Sequence, residues 1–163
     1  MKISKTREVR TPERGTSMSA GIDFFVPKFD DKFVADFRDR NSGVILSKDK
    51  IVLEPHQRAL IPSGIKVNFE GEPKVLIYFN KSGVSTKKGL DVLACVIDQD
   101  YMEEANISIV NTSDSIVFIQ EGEKIVQMIM FPIVYEEIEV VEEKELWKTS
   151  TERGEGGFGS TNK

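Results

Sequence analysis

The stretch Ile51-Val52-Leu53-Glu54-Pro55-His56-Gln57-Arg58-Ala59-Leu60-Ile61-Pro62-Ser63-Gly64-Ile65-Lys66-Val67-Asn68-Phe69 decides the fold class. Three short β-branched, apolar runs, Ile51–Leu53, Arg58–Ile61 and Ile65–Phe69, are punctuated by Glu54-Pro55 and Pro62-Ser63-Gly64. Proline presets one turn dihedral and glycine supplies the left-handed one, so these pairs end strands. The rhythm continues through Val75–Phe79, Leu90–Ile97, Asn106–Val110, Ile116–Ile119, Ile125–Phe131 and Ile133–Val141. Gly71-Glu72-Pro73, Asn111-Thr112-Ser113-Asp114 and Glu121-Gly122 provide further breaks. Short, evenly spaced strands predict an all-β sandwich or barrel. One short helix is expected over Ser82–Lys88, and no internal repeat is evident.

The chain has 163 residues, enough for one core but not two. Its 39% hydrophobic and 30% charged content is that of an ordinary soluble protein, and a cytoplasmic location is expected. No run approaches the roughly 20 apolar residues of a membrane span. Met1-Lys2-Ile3-Ser4-Lys5 lacks the apolar centre of a secretory signal. The single cysteine, Cys95, requires no oxidising compartment. A net charge of −5 argues against nucleic-acid binding, which rests on many phosphate contacts from Lys and Arg. It leaves room for a small anionic ligand held by a local basic cluster. Glu136, Glu137, Glu139, Glu142, Glu143 and Glu145 form an acidic run read as a solvated face.

Two segments stand apart from the strands. Phe29 to Lys50 is rich in Asp, Lys and Arg with scattered Phe, and reads as a charged insert, with a helical turn near Val34–Asp39. An insert of this kind is either a surface loop or a partner-binding element. After residue 150 the composition changes again. Arg153-Gly154-Glu155-Gly156-Gly157-Phe158-Gly159-Ser160-Thr161 is too glycine-rich to hold a fold alone. Yet Arg153 offers a bidentate fork for phosphate, Ser160 and Thr161 offer hydroxyls, and Phe158 can lie on a nucleobase. The expected division is therefore a β domain over 1–150 and a flexible arm over 151–163.

Four further stretches complete a pattern: Ser19-Ala20-Gly21-Ile22-Asp23, Asn80-Lys81-Ser82-Gly83, Val96-Ile97-Asp98-Gln99-Asp100-Tyr101 and Glu121-Gly122-Glu123-Lys124-Ile125-Val126-Gln127. Together with the arm they resemble, in order and rough spacing, the five motifs of the trimeric dUTP pyrophosphatases (dUTPases). The resemblance implies a distorted jelly roll of the β-clip-like dUTPase type. It implies Mg²⁺-dependent hydrolysis of dUTP to dUMP and pyrophosphate, which limits uracil in DNA and supplies a thymidylate precursor. Family members are shorter than this chain between the first motif and Pro62, by roughly a dozen residues or more.

By the same resemblance Asp98 is the general base, a carboxylate made effective by its position against the attacking water. Tyr101 packs under the deoxyribose and leaves no room for a 2′-hydroxyl. Leu90–Ile97, with Val92, Cys95 and Ile97, is similar to the family's uracil-receiving β-hairpin, which reads the base mainly through backbone groups. Phosphate contacts are expected from Lys81, Ser82, Gly83, Gln127 and the arm residues Arg153, Phe158, Gly159, Ser160 and Thr161. Asp23 is expected to orient water on the metal, since Mg²⁺ keeps several waters and reaches protein through substrate phosphates. The resemblance also implies a homotrimer with shared sites: Asp98 and Tyr101 from one subunit, Ser82 and Gln127 from a second, the arm from a third.

Three departures stand out: Lys81 where an Arg is usual, Cys95 where many relatives have Gly, and Glu103 in place of a Gly, with Glu104 keeping the acidic position. Lysine keeps the charge but loses the fork. Two alternatives remain beside dUTP hydrolysis. One is a dCTP deaminase, which places a catalytic Glu where this chain has Ser108 and lacks such an arm. The other is a nucleotide sensor that binds a protein partner through the insert. No motif lies within Asp30–Ser47, so its deletion is expected to leave turnover intact.

Overall fold

The computed structural model describes residues 1–156. Among them the chain order is β1 (Lys2–Lys5), β2 (Glu13–Arg14), β3 (Ile22–Phe25), α1 (Asp31–Arg40), β4 (Ile45–Leu46), β5 (Lys50–Leu53), β6 (Arg58–Ile61) and β7 (Ile65–Asn68). Then follow β8 (Lys74–Asn80), α2 (Ser82–Lys88), β9 (Leu90–Val92), β10 (Val96–Ile97), β11 (Ile107–Asn111), β12 (Val117–Gln120), β13 (Lys124–Pro132) and α3 (Glu143–Leu146). The strands form a five-stranded sheet, β10-β8-β13-β3-β2, two three-stranded sheets, β6-β11-β9 and β12-β5-β4, and the pair β1-β7. Every pairing is antiparallel. No helix of the described residues is long and apolar enough to cross a membrane.

Period-two patterning explains where the core sits. β5, β6 and β11 alternate buried and more exposed positions, so Ile51, Leu53, Ala59, Ile61, Ile107 and Ile109 point inward together. Long antiparallel pairing of β8 with β13, from Val126 opposite Asn80 to Pro132 opposite Lys74, forms the spine of the main sheet. Buried Tyr78 on that spine meets Phe24 of β3 edge to face at 5.5 Å and donates its phenol to the Ala105 carbonyl at 2.7 Å.

Several sequence expectations change here. Ile133–Val141 forms no strand, although β13 itself runs one residue beyond the apolar run Ile125–Phe131 at each end. A strand needs a partner to take its backbone hydrogen bonds; the Ile133 N–H donates to the Pro73 carbonyl at 3.1 Å, and beyond it the described residues offer this segment no pairing strand. Leu90–Ile97 is not a self-paired hairpin. β9 pairs with β11 and β10 with β8, so the run crosses from one sheet to another. β3, part of the first motif, was not expected as a strand, yet it lies inside the main sheet.

The insert is the largest correction. Instead of a surface loop with one turn, it holds a ten-residue helix capped by Asp30, whose side chain accepts from the Phe33 N–H at 2.8 Å. Phe33 and Phe37, one helical turn apart, are wholly buried. Phe29, Phe33 and Phe37 stack at 4.8 and 5.8 Å between successive ring centroids. Deleting Asp30–Ser47 would therefore remove part of the core, and the expectation of intact turnover is withdrawn.

Candidate active site

Two clefts collect the motif residues, toward opposite ends of β8. The first, of about 290 Å³, is walled by Ile97, Asp98 and Tyr101 together with Ala94 and Val96 from the β9–β10 crossing. Leu60, Asn106 and Ser108 close the other side. Sequence reading missed Leu60 and Asn106, and named Ser108 only as the place of a deaminase's catalytic Glu. Their signal lies in register, since Leu60 stands opposite Ser108 across β6 and β11. Asp98 follows directly after β10, and its carbonyl accepts from the Tyr101 N–H at 3.2 Å, closing the turn that brings both residues to the cleft. Tyr101 is 39% exposed, so a face of its ring remains for a ligand. Val92 and Cys95 do not line this cleft; both pack against the core instead, and the Cys95 carbonyl is taken by the Tyr78 N–H at 2.8 Å.

Behind Tyr101 lies a buried polar anchor. Glu104 accepts from Arg7 at 3.0 Å, from Thr6 at 3.0 Å and from the Gly64 N–H at 2.7 Å. Burial pushes the Glu104 carboxyl up, but these donors outweigh it and hold it below the ordinary range. Gly64 sits at φ +73°, and an added Cβ would lie 2.7 Å from Arg7 Cγ, so this turn needs glycine. Glu103, by contrast, is exposed and pairs with Lys66 at 3.1 Å.

The second cleft, of about 460 Å³, is lined by Lys81, Ser82, Gly83, Lys87, Lys124 and Gln127, with Val84 and Glu123. α2 begins after Lys81, as expected from the sequence, and open space surrounds Gly83. Asp23 lies beneath, 4% exposed, and holds Lys81 through one carboxylate oxygen and Lys124 through the other, the latter at 3.1 Å. Burial pushes Asp23 up, but bonds to Lys81 and then Lys124 pull it below the ordinary carboxylate range. Lys87 and Lys124 were not singled out in the sequence. Lys124 lies inside a motif, three residues before Gln127, which was the available signal. Gln127 pairs in register with Asp23 and donates to the Asn80 carbonyl at 2.9 Å. A Cβ on Gly21 would fall 2.0 Å from the Gln127 Oε1, so the first motif needs glycine to seat this glutamine.

Would this cleft hold Mg²⁺? Among the described residues no group of three or more His, Cys, Asp or Glu is placed to ligate a metal. Both Asp23 oxygens are engaged by ammonium groups. The donor set is that of a polyphosphate cradle, with Asp23 and the Gln127 amide oxygen the groups suited to the waters of an ion that enters on its phosphates.

The separation of the clefts follows from register. Ile97 stands opposite Leu76, while Lys81 is five residues further on, just past the end of β8. At about 3.3 Å per residue that is roughly 17 Å. Arg153 lies in neither cleft; it borders a third hollow beside Trp147 and α3. Phe158, Gly159, Ser160 and Thr161 lie outside the described residues.

Comparison with known proteins places the chain in a family. The dUTPase family model matches residues 44–162. The chain belongs to the dUTPase family. A deoxyuridine 5′-triphosphate nucleotidohydrolase of Hydrogenobaculum sp. is 40% identical over 115 residues, 69% of this chain and 76% of that one. Among solved structures, the dUTPase of Staphylococcus bacteriophage 80alpha with dUpNHpp superposes with a TM-score of 0.75 at 26% identity, over 98% of this chain and 96% of its own. A mutant dUTPase from phage phi11 of S. aureus, whose structure shows the coordination of a structural Mg(II) ion, matches with a TM-score of 0.67 at 25% identity, over 88% and 97%. In this dUTPase the jelly-roll architecture expected from the sequence is thus the family's own.

Proposed function

We propose that the protein is a dUTP diphosphatase that releases dUMP and pyrophosphate. The observation that carries the reading is the first cleft, where the Asp98 carboxylate and the Tyr101 ring meet beside the β9–β10 crossing. The base enters among Ala94, Val96 and Ile97, where backbone groups can pair with uracil and close packing excludes a 5-methyl group. A pocket that hydrogen-bonds one base edge rejects the wrong edge strongly, because buried donors and acceptors are left unpaired. Tyr101 stacks under the deoxyribose and leaves no space for a 2′-hydroxyl.

Asp98 shares a cleft with the sugar-stacking tyrosine, so the phosphorus it serves is the one nearest the sugar. A water held by the Asp98 carboxylate loses its proton to it and attacks the α-phosphorus. The bond from that phosphorus to the bridging oxygen breaks, and pyrophosphate carries the electron pair away. Ser82 and the ammonium groups of Lys81, Lys87 and Lys124 receive the charge that builds on the bridging and terminal oxygens. Mg²⁺ bound to the phosphates would add further neutralisation. Were Lys81 to turn from Asp23 to the phosphates, the freed Asp23 oxygen would be available to orient water near the ion.

Clefts roughly 17 Å apart do not serve one α-phosphate within a single chain, which favours a site shared between chains. The arrangement that the family resemblance implies is a homotrimer in which Asp98 and Tyr101 of one subunit face Ser82 and Gln127 of another, and the arm of a third closes the site with Arg153 and Phe158. The strand-like Ile133–Val141, which has no partner strand among the described residues and leaves Ile138 and Val140 more than nine-tenths exposed, supports an assembly that covers it. The deaminase alternative loses further ground: Ser108 lines the cleft and supplies no carboxylate. With Mg²⁺, purified protein should release pyrophosphate from dUTP and hardly at all from dTTP, dCTP or UTP. Ammonia from dCTP without turnover of dUTP would refute the assignment.

A further inference from the structure

The inserted helix α1 ends against the wall of the first cleft, and three polar threads tie it there. Asn41 follows α1 and is buried; its side-chain carbonyl accepts from the Leu60 N–H at 2.7 Å while its NH₂ donates to the Leu60 carbonyl at 2.9 Å. That amide thus completes the outer edge of β6 at the very residue that lines the cleft. Asp36, in the middle of the helix, binds Arg7 at 2.7 Å, and Arg7 binds Glu104 at 3.0 Å. Arg40, in the last turn, donates to the Asn106 Oδ1 at 2.7 Å.

The third thread reaches furthest. With its Oδ1 occupied by Arg40, Asn106 presents its NH₂ to the Glu104 carbonyl at 3.0 Å. That same carbonyl accepts from the Tyr101 phenol at 3.3 Å. A guanidinium cannot accept a hydrogen bond, so Arg40 fixes which end of the Asn106 amide faces it and which faces Glu104. Swinging the amide by half a turn would set its oxygen against the Glu104 carbonyl and disturb the acceptor on which the phenol rests. Steric exclusion of a 2′-hydroxyl depends on where the ring lies, so a device that fixes the phenol end fixes the selectivity.

We infer that the inserted helix positions the nucleoside cleft, and that Arg40, through Asn106 and the Glu104 carbonyl, is a positioning residue that holds Tyr101 where it discriminates deoxyribose from ribose. This rests on the reading of that cleft as the deoxynucleoside site. It assigns the insert a role within the reaction, in place of a loop that merely tolerates its length.

The test is Arg40→Ala in the full chain, with kcat and KM measured for dUTP and for UTP and unfolding followed by heat. Arg40 is exposed and its partner is a neutral amide, so the variant should fold. Its kcat with dUTP should stay within about twofold of the parent, while the ratio of kcat/KM for dUTP over UTP falls about three- to tenfold, the effect expected of one ordinary intramolecular hydrogen bond. Arg40→Lys, which can still donate to Asn106, should recover part of the ratio. Asp36→Asn should lower it in the same direction through Arg7 and Glu104. An unchanged ratio in folded Arg40→Ala, whatever happens to its melting temperature, overturns the positioning role and leaves the enzyme assignment standing. If the parent protein itself does not prefer dUTP to UTP, the reading of the cleft fails and this inference falls with it.

Discussion

In the proposed mechanism Asp98 is the residue on which the chemistry turns. It stands exposed at the mouth of the first cleft, one residue beyond β10, where its backbone carbonyl is held by Tyr101. Asp98→Asn keeps the shape and removes the base. General-base assistance supplies about 10²–10⁴-fold, so turnover should fall by that order while nucleotide binding, read by calorimetry, survives. Near-normal turnover would make Asp98 structural. Asp98, Ile97 and Tyr101 were legible in the sequence because they sit together in one short motif. Val92 and Cys95 fall outside the cleft for a physical reason: with only two or three residues in β9 and β10, sequence alone does not say which side chains face the cleft and which the core. Lys87 and Lys124 escaped notice because a lysine on a strand end or short helix looks like any solvated charge until Asp23 and the second cleft gather them.

At the level of elements, α1 changes what the insert means. Its sequence is charged enough to read as surface, with two phenylalanines four residues apart as the only sign of a buried face. Phe37 is fully buried and stacks on Phe33, and truncation of such a ring costs about 3–5 kcal/mol. Phe37→Ala should lower the thermal midpoint of unfolding by many degrees; a midpoint indistinguishable from the parent's would return α1 to the status of a surface appendage. Most strands were legible, since β-branched runs and turn residues mark them locally. β3 was not, because Ile22-Asp23-Phe24-Phe25 carries a charge that only the lysines of the second cleft explain. Ile133–Val141 failed in the opposite sense: its local signal is that of a strand, and what is missing is a partner.

For the whole molecule, the proposed shared site makes assembly a condition of activity. Truncation after Ser150 should leave a folded protein that turns dUTP over very slowly. Mixed with full-length Asp98→Asn and allowed to exchange subunits, it should regain activity, because some mixed assemblies join an intact base to an intact arm. Exchange without recovery would mean that each chain builds its own site.

The segment from Ile133 to Val141 carries one more implication, for the newly made chain. In extended form Val134, Ile138 and Val140 would share one side with Glu136, while Glu137 and Glu139 would share the other with Tyr135 and Val141. An unpaired apolar strand is a template for runaway association of like chains. Stacked in register on a copy of itself, however, this one would set glutamate against glutamate, and like charges directly opposite repel. Such a pattern has the character of a gatekeeper: it penalises growth of the segment into a fibre while leaving it free to settle on a different surface.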